Sequence, residues 1–156
     1  MALAVATAPP AKRVDFVSVR LVKEGSTKYP QRFINNPQDA ASFVREFLED
    51  LDREAVLVLC LDTKHQPTSI NTVSIGTLFN SLVHPREIFK AAVLANSAAI
   101  IVCHNHPSGI PEPSQDDLKM TERLVEAGEL IGIDVLDHII IGHGNAYTSF
   151  RERGLM

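Results

Sequence analysis

The sequence predicts a single layered α/β domain, and three observations support this prediction. Two runs that are almost continuously apolar, at 54–62 and 98–103, resemble central strands that are covered on both faces. Segments with apolar residues at helical spacing lie before, between and after these runs. The 156 residues contain no internal repeat or interdomain linker, and this length is sufficient for one domain with its own core. Strands that alternate with helices in this way indicate an α/β layered domain.

The N-terminal third is predicted to contain a loose arm, a strand and a helix. The arm covers residues 1–12 and precedes the domain predicted at 13–156. The run at 13–22 alternates well enough to be a strand, and the stretch after it is rich in turn residues or forms a short hairpin. Asn36 and Pro37 begin a helix as its N-cap and first residue. Helical spacing predicts that its buried face consists of Phe43, Val44, Phe47, Leu48 and Leu51.

The remaining elements continue the alternation of strands and helices. The first central strand, 54–62, ends in a turn at 64–68 that contains a proline. The elements predicted after this turn are a strand at 69–76, a helix that opens at Pro85, a central strand at 98–103, a helix that begins at Ser114, and strands at 134–142 and 146–150.

Composition argues against several functional classes. The formal net charge of −4 gives no global basic signature of a nucleic-acid binder. The two cysteines, Cys60 and Cys103, lie in apolar runs and form no C-x-x-C pair, so we expect buried free thiols. The N-terminal residues lack the features of a secretory signal, and no apolar run is long enough to span a bilayer. We therefore expect a cytoplasmic protein that makes no contact with a membrane.

The stretch HNHPSGIPEPSQDD, at the end of the second central strand, suggests a metal site. Residues i and i+2 of a strand face the same way, so His104 and His106 can reach one ion while Asn105 points away. The following loop, which is rich in proline, brings Ser114 and Asp117 towards the histidines. Two histidines, one carboxylate and a water make a tetrahedral zinc site with one exchangeable position.

The same residues also have an explanation that needs no metal. Ser114 and Asp117 fit a helix capping box, and both histidines could be polar groups that are hydrogen-bonded at a strand end. The presence of all four residues at fixed spacing favours the metal site over these separate explanations.

The order H-x-H, seven residues, then S-x-x-D is similar to the signature of JAMM (JAB/MPN) metalloproteases. The segments HPREIFKAA, HNHPSG, PEPSQDD and LDHIIIG look like the JAMM domain of bacterial RadC-like proteins. This resemblance covers the chain from about residue 35 onward. It implies an α/β/α domain with a mixed central sheet, of the cytidine-deaminase-like kind. It also implies one zinc ion per chain, held by His104, His106 and Asp117, although such ligands serve several divalent ions.

The resemblance further implies a glutamate ahead of the first central strand, and Glu54 matches that position. Glu54 would act as the general base towards a zinc-activated water, and Ser114 would stabilise the oxyanion. Glu87 is the competing candidate for the base, and an ordinary charged residue at a strand start is the simpler explanation of Glu54. His138 is predicted to be either a structural histidine or a group that orients the site.

The predicted function is zinc-dependent hydrolysis of a peptide or isopeptide bond, with a peptide or protein as the substrate. Two alternatives belong to other classes: a DNA-repair accessory protein of the RadC type, such as a metal-dependent nuclease, and a non-catalytic protein-binding MPN module. The first 35 residues are too short for the helix-hairpin-helix region of long RadC-like proteins. We therefore expect no nucleic-acid binding through this domain alone. Exposed apolar edges would support a homodimer.

Overall fold

One mixed β-sheet forms the centre of the computed structural model, which describes residues 11–76 and 83–156. Its five strands are β1 (Ala55–Leu61), β2 (Pro67–Ile75), β3 (Ala99–Asn105), β4 (Asp134–Ile141) and β5 (Tyr147–Ser149). They lie side by side in the order β2-β1-β3-β4-β5. β1 is antiparallel to both β2 and β3, β3 is parallel to β4, and β4 is antiparallel to β5.

Helices cover both faces of this sheet. The described residues form three of them: α1 (Pro37–Leu48), α2 (Pro85–Leu94) and α3 (Gln115–Ile131). Alternate residues of β1 point to opposite faces, so Leu57 and Leu59 join the core layer under α1. Val56 and Val58 join the second core layer, under α2 and α3. α3 connects β3 to its parallel neighbour β4, as a crossover between parallel strands requires.

Side chains at the helix starts determine where each helix begins. The Asn36 side chain accepts a 2.9 Å hydrogen bond from the Asp39 amide, and His84 Nδ1 accepts one of 3.2 Å from the Arg86 amide. Ser114 begins α3 through a complete capping box. Gly132 ends α3 with φ of 79°, a left-handed conformation that glycine adopts at low cost.

The predicted α/β/α fold with a mixed sheet is confirmed, as are the helix starts at Asn36, Pro85 and Ser114. Both predicted central strands are present as β1 and β3, and every residue of β1 and of β3 is buried. Cys60 and Cys103 are free and buried, as expected. The described residues contain no helix that is long and apolar enough to cross a bilayer.

Three details of the prediction are wrong. Residues 11–28 are exposed and belong to no helix or strand, so the predicted strand at 13–22 is absent. Alternation makes a segment suitable for a sheet, but a strand also needs a hydrogen-bonded neighbour. On α1, Phe47 is 37% exposed, and Ala40 and Ala41 take the buried positions instead. The last strand is shorter than predicted and ends before Phe150. The predicted N-terminal arm lies outside the described residues as far as residue 10.

Replacement of Leu59 by alanine should lower the free energy of unfolding by about 2 to 5 kcal/mol, because it leaves a cavity in the layer under α1. The matched control is Leu130→Ala on α3, where the side chain is 90% exposed and the change should stay within about 0.5 kcal/mol. Urea unfolding of both variants measures the difference. Equal losses would contradict this description of the core.

Candidate metal centre

The topology brings the predicted site residues to one end of the sheet. His104 is the sixth residue of β3, and His106 follows the strand directly. β1 runs antiparallel to β3 with Val56 opposite His104, so Glu54, immediately before β1, lies beside the end of β3. The connection from β3 to β4 begins at this same end, and therefore α3 starts there with Asp117 in its first turn.

Three of these side chains converge as the ligands of one ion would. His104 Nε2 and His106 Nε2 are 3.1 Å apart. Asp117 Oδ1 lies 3.5 Å from His104 Nε2, and Asp117 Oδ2 lies 3.7 Å from His106 Nε2. Donor atoms in a tetrahedral zinc site are about 3.3 Å apart, given zinc–ligand bonds of about 2.0–2.1 Å. The three side chains are therefore close to the spacing that a shared ion requires.

Glu54 borders the same space from its more open side. Its Oε1 lies 3.9 Å from His104 Nε2 and 3.7 Å from His106 Nε2, and its side chain is 28% exposed. One ligand atom from each of Glu54, His104 and His106 lies within 4.8 Å of the other two, so these residues could also hold a metal ion as a group. Glu54 is thus near enough to be either a ligand or a proton acceptor for a water beside the histidines.

Glu87, the competing candidate, lies elsewhere. It is in the first turn of α2, where its carboxylate binds Lys90 and Arg86 on the helix surface. The hydrogen bond from Lys90 is the main cause that lowers the pKa of Glu87. The structure therefore brings Glu54, and not Glu87, to the histidines.

Asp117 is held as a buried carboxylate by the capping box of α3. Its Oδ2 accepts hydrogen bonds of 2.7 Å from both the backbone amide and the hydroxyl of Ser114. Burial acts to raise the pKa of Asp117, but the neighbouring imidazoles of His106 and His104 and the two hydrogen bonds from Ser114 lower it well below its usual range. The two explanations of the S-x-x-D motif are therefore compatible, because the cap turns an ionised carboxylate towards the histidines.

A chain of buried hydrogen bonds orients His104. Its Nδ1 lies 2.8 Å from His138 Nε2, and His138 Nδ1 lies 2.6 Å from the Thr121 hydroxyl, which donates to the Asp117 carbonyl. Because the threonine proton is used for that carbonyl, the hydroxyl must accept a hydrogen bond from His138 Nδ1–H. His138 Nε2 must then accept one from His104 Nδ1–H. This assignment leaves the lone pair of His104 Nε2 directed into the site.

Burial keeps the imidazoles of His104 and His138 neutral. It is the main cause that lowers the pKa of His138 to about 4, and it also lowers the pKa of His104 well below 6.5. His138 stacks on Phe150 with ring centroids 4.5 Å apart, which fixes the imidazole plane. The structure thus places His138 in contact with His104, in the position of an orienting group.

His106 is oriented by the loop that follows it. Its Nδ1 lies 2.8 Å from the carbonyl of Ile110, which can only accept, so Nδ1 carries the proton and Nε2 faces the site. The loop is itself fixed, because the amide of His143 donates to the carbonyl of Gly109 and Arg153 binds both carboxylate oxygens of Glu112. Gly109 has φ of 80° and lies against the His143 ring, so a larger residue would not fit.

Asn105, for which no role was predicted, connects the two strands that carry the site. Its side chain is buried, donates to the Arg53 carbonyl at 3.1 Å and accepts from the Ala55 amide at 2.8 Å. These two peptide groups flank Glu54, so Asn105 fixes the backbone of Glu54 relative to the strand of the histidines. A buried amide must find partners, but the sequence alone does not show where they lie.

Comparison with known proteins identifies relatives of this chain. A family model described as the RadC-like JAB domain matches residues 34–155. The UPF0758 protein of Desulforamulus reducens is 55% identical over 123 residues, which is 79% of this chain and 54% of the relative. UPF0758 proteins of Moorella thermoacetica and Methanosarcina mazei are 51% and 47% identical and cover 79% and 81% of this chain. The matched part is 53% and 55% of these two relatives, so the chain spans about half the length of the curated relatives it matches.

The orienting position of His138 can be tested through metal affinity. We expect His138→Ala to weaken zinc binding by about 10- to 100-fold, since His104 loses the partner that fixes its tautomer. Competition with a chromophoric chelator measures this affinity. His65→Ala is the control, because His65 lies in the β1–β2 turn at the opposite end of the sheet. Equal affinities for the two variants would show that His138 does not act on the site.

Proposed function

The chain belongs to the RadC-like JAB domain family, and on this premise we propose that it is a zinc-dependent hydrolase of a peptide or isopeptide bond. One observation carries the proposal. Two imidazole nitrogens and a carboxylate converge at 3.1–3.7 Å, and a second carboxylate, that of Glu54, lies on the more open side of this cluster.

His104, His106 and Asp117 are the proposed ligands. Their donor atoms suit zinc, since the lone pair of each histidine Nε2 faces the carboxylate of Asp117. Three protein ligands leave one position of a tetrahedral ion open, which is the arrangement of catalytic zinc sites. A zinc ion held there would supply Lewis acidity, which lowers the pKa of water to near neutrality and polarises a carbonyl group.

Glu54 is proposed to transfer the proton in this reaction. Its carboxylate would accept a proton from the attacking water as the new bond forms between the water oxygen and the substrate carbonyl carbon. It would then return this proton to the leaving nitrogen as the carbon–nitrogen bond breaks. Its distance of 3.7 Å from His106 Nε2 and its partial exposure place it within reach of both the site and solvent.

Ser114 is proposed to donate a hydrogen bond to the oxyanion. In the structure its hydroxyl donates to Asp117 Oδ2, so it would have to turn from Asp117 towards the substrate. Asp117 Oδ2 would still keep its bond from the Ser114 amide. If only the hydroxyl proton turns, the Ser114 oxygen still accepts from the Asp117 amide, and the start of α3 remains capped. A single donor of this kind contributes about 3 kcal/mol to transition-state stabilisation.

Metal analysis and hydrolysis assays on the same set of variants test the proposal. We expect about one zinc per wild-type chain, and loss of zinc in His104→Ala and Asp117→Ala because each removes a ligand. Glu54→Gln should retain the metal and lose cleavage of peptide and isopeptide libraries by at least about 100-fold. Glu87→Gln is the control, because Glu87 lies on the surface of α2. Folded wild-type protein that takes up no zinc would contradict the proposal and favour a non-catalytic binding module.

Asn105→Ala should separate metal binding from catalysis. It removes both hydrogen bonds that flank Glu54, while the ligands keep their own contacts. We expect retained zinc and a fall in kcat with little change in KM, since the proton acceptor is displaced from the reacting water. Asn105→Asp, which can still accept from the Ala55 amide, should recover part of the loss. Loss of zinc in Asn105→Ala would instead show that this residue supports the ligands.

A further inference from the structure

Residues 13–22, here called the donor segment, expose more apolar surface than an unpartnered segment of a soluble domain should. Single exposed apolar residues are common, but a contiguous group of this size is typical of an interaction site. The segment precedes the residues that the family model matches. Its large apolar side chains are between 50% and 104% exposed, and they are Val14, Phe16, Val17, Val19, Leu21 and Val22.

The donor segment has the pattern of a strand with one irregularity. Val14 and Phe16 alternate with charged residues, and Val17, Val19 and Leu21 alternate with polar ones. The phase changes once, between Phe16 and Val17. A β-bulge there would place these five apolar side chains on one face, because a bulge adds one residue to a strand. β-branched and aromatic residues of this kind favour strands over other conformations.

The sheet offers an edge that such a strand would fit. β2 is an edge strand that pairs with β1 on one side, and no residue in 11–76 or 83–156 pairs with its other side. It has nine residues, PTSINTVSI, none of them charged. Edge strands are normally protected by charged residues, prolines or bulges. β2 has no charged residue, its proline is its first residue, and its pairing with β1 is regular over residues 69–72, so this edge can accept an added strand. β5, the opposite edge, has only three residues.

Apolar side chains of β2 at this edge would be covered by the apolar face of the donor segment. Ile70 lies opposite Leu59 and Ile75 opposite Ala55, and both partners belong to the core layer under α1. Ile75 is 59% exposed because the layer ends at this strand. A strand added beside β2 would extend the layer over Ile70 and Ile75.

From these observations we propose that two copies of this chain exchange their donor segments, each segment adding to the β2 edge of the other copy. Each chain carries one donor segment and one acceptor edge, which is β2. In a two-fold dimer both donor segments and both β2 edges are therefore paired. The chain is held on α1 just after the segment, where Tyr29 packs on Phe43 with ring centroids 4.6 Å apart. The residues between the segment and this anchor include Gly25, which nothing crowds.

The exchanged strand would lie close to the candidate site. The amide of Gly76, just after β2, donates a 2.9 Å hydrogen bond to the carbonyl of Glu54. β2 also pairs with β1 up to Ala55, next to Glu54. Dimerisation would therefore hold the strand that supports Glu54, without contributing a metal ligand.

Mass in solution, measured by light scattering on a dilution series of the full chain, tests the exchange. We expect wild-type protein at twice the 17.1 kDa chain mass, and Val19→Asp at the mass of one chain. Ser18→Asp is the matched control, because it places the same charge one residue away on the polar face and should remain dimeric. Both residues are exposed in the single chain, so circular dichroism should show both variants folded.

A second variant distinguishes strand exchange from pairing between two donor segments. Ile75→Lys changes only the acceptor edge, and we expect it to be monomeric. A mixture of Val19→Asp and Ile75→Lys retains one intact donor and one intact edge, so dimers should form again in the mixture. Wild-type protein at 17.1 kDa throughout would overturn the proposal. So would a dimer that survives Ile75→Lys, or variants that stay monomeric when they are mixed.

Discussion

The antiparallel pairing of β1 with β3 is the constraint on which the candidate site depends. It sets Val56 opposite His104, and so the residue before β1 meets the residues that end β3. The same end of β3 begins the crossover to β4, which brings the first turn of α3 to the histidines. Three separate parts of the chain thus meet at one point through sheet topology alone. The two hydrogen bonds of Asn105 fix this register on both sides of Glu54, and so they fix the position of the Glu54 backbone relative to the histidines.

The polar groups behind the site determine its chemistry because they are buried. A buried imidazole or carboxylate without partners would be costly, and each one here is hydrogen-bonded. The hydrogen bonds from His104 through His138 to Thr121 can all be donated in one direction only, since the last of them ends on the Asp117 carbonyl, which cannot donate. The tautomer of His104 is therefore set by the fold before any ion binds. A site of this kind is preorganised, and the proposed ligands would need little rearrangement to accept a metal ion.

Much of the fold follows from local patterns in the sequence, whereas the contacts that organise the site do not. The apolar runs predicted β1 and β3, and the caps at Asn36 and Ser114 predicted helix starts, because these signals lie within a few residues of each other. Asn105 meets the peptides around Glu54 across about fifty residues, and no spacing in the sequence indicates that distance. At the donor segment, by contrast, the sequence predicted a strand that the structure does not contain. Its alternation is a true property of the segment, but the strand was wrongly predicted because the segment is not hydrogen-bonded to any of the five strands of the sheet.

The capping box of α3 shows why a structural and a functional explanation of one motif need not compete. Asp117 at the third position of a helix is favoured by the capping bonds with Ser114 and by the positive end of the helix dipole. Both effects favour its ionised form, and that is the form a metal ion requires. The carboxylate accepts the two Ser114 bonds through Oδ2, which leaves Oδ1 facing His104. The interaction that begins the helix therefore also favours the ionised form of the proposed ligand and orients its carboxylate. Formation of α3 thus positions part of the site.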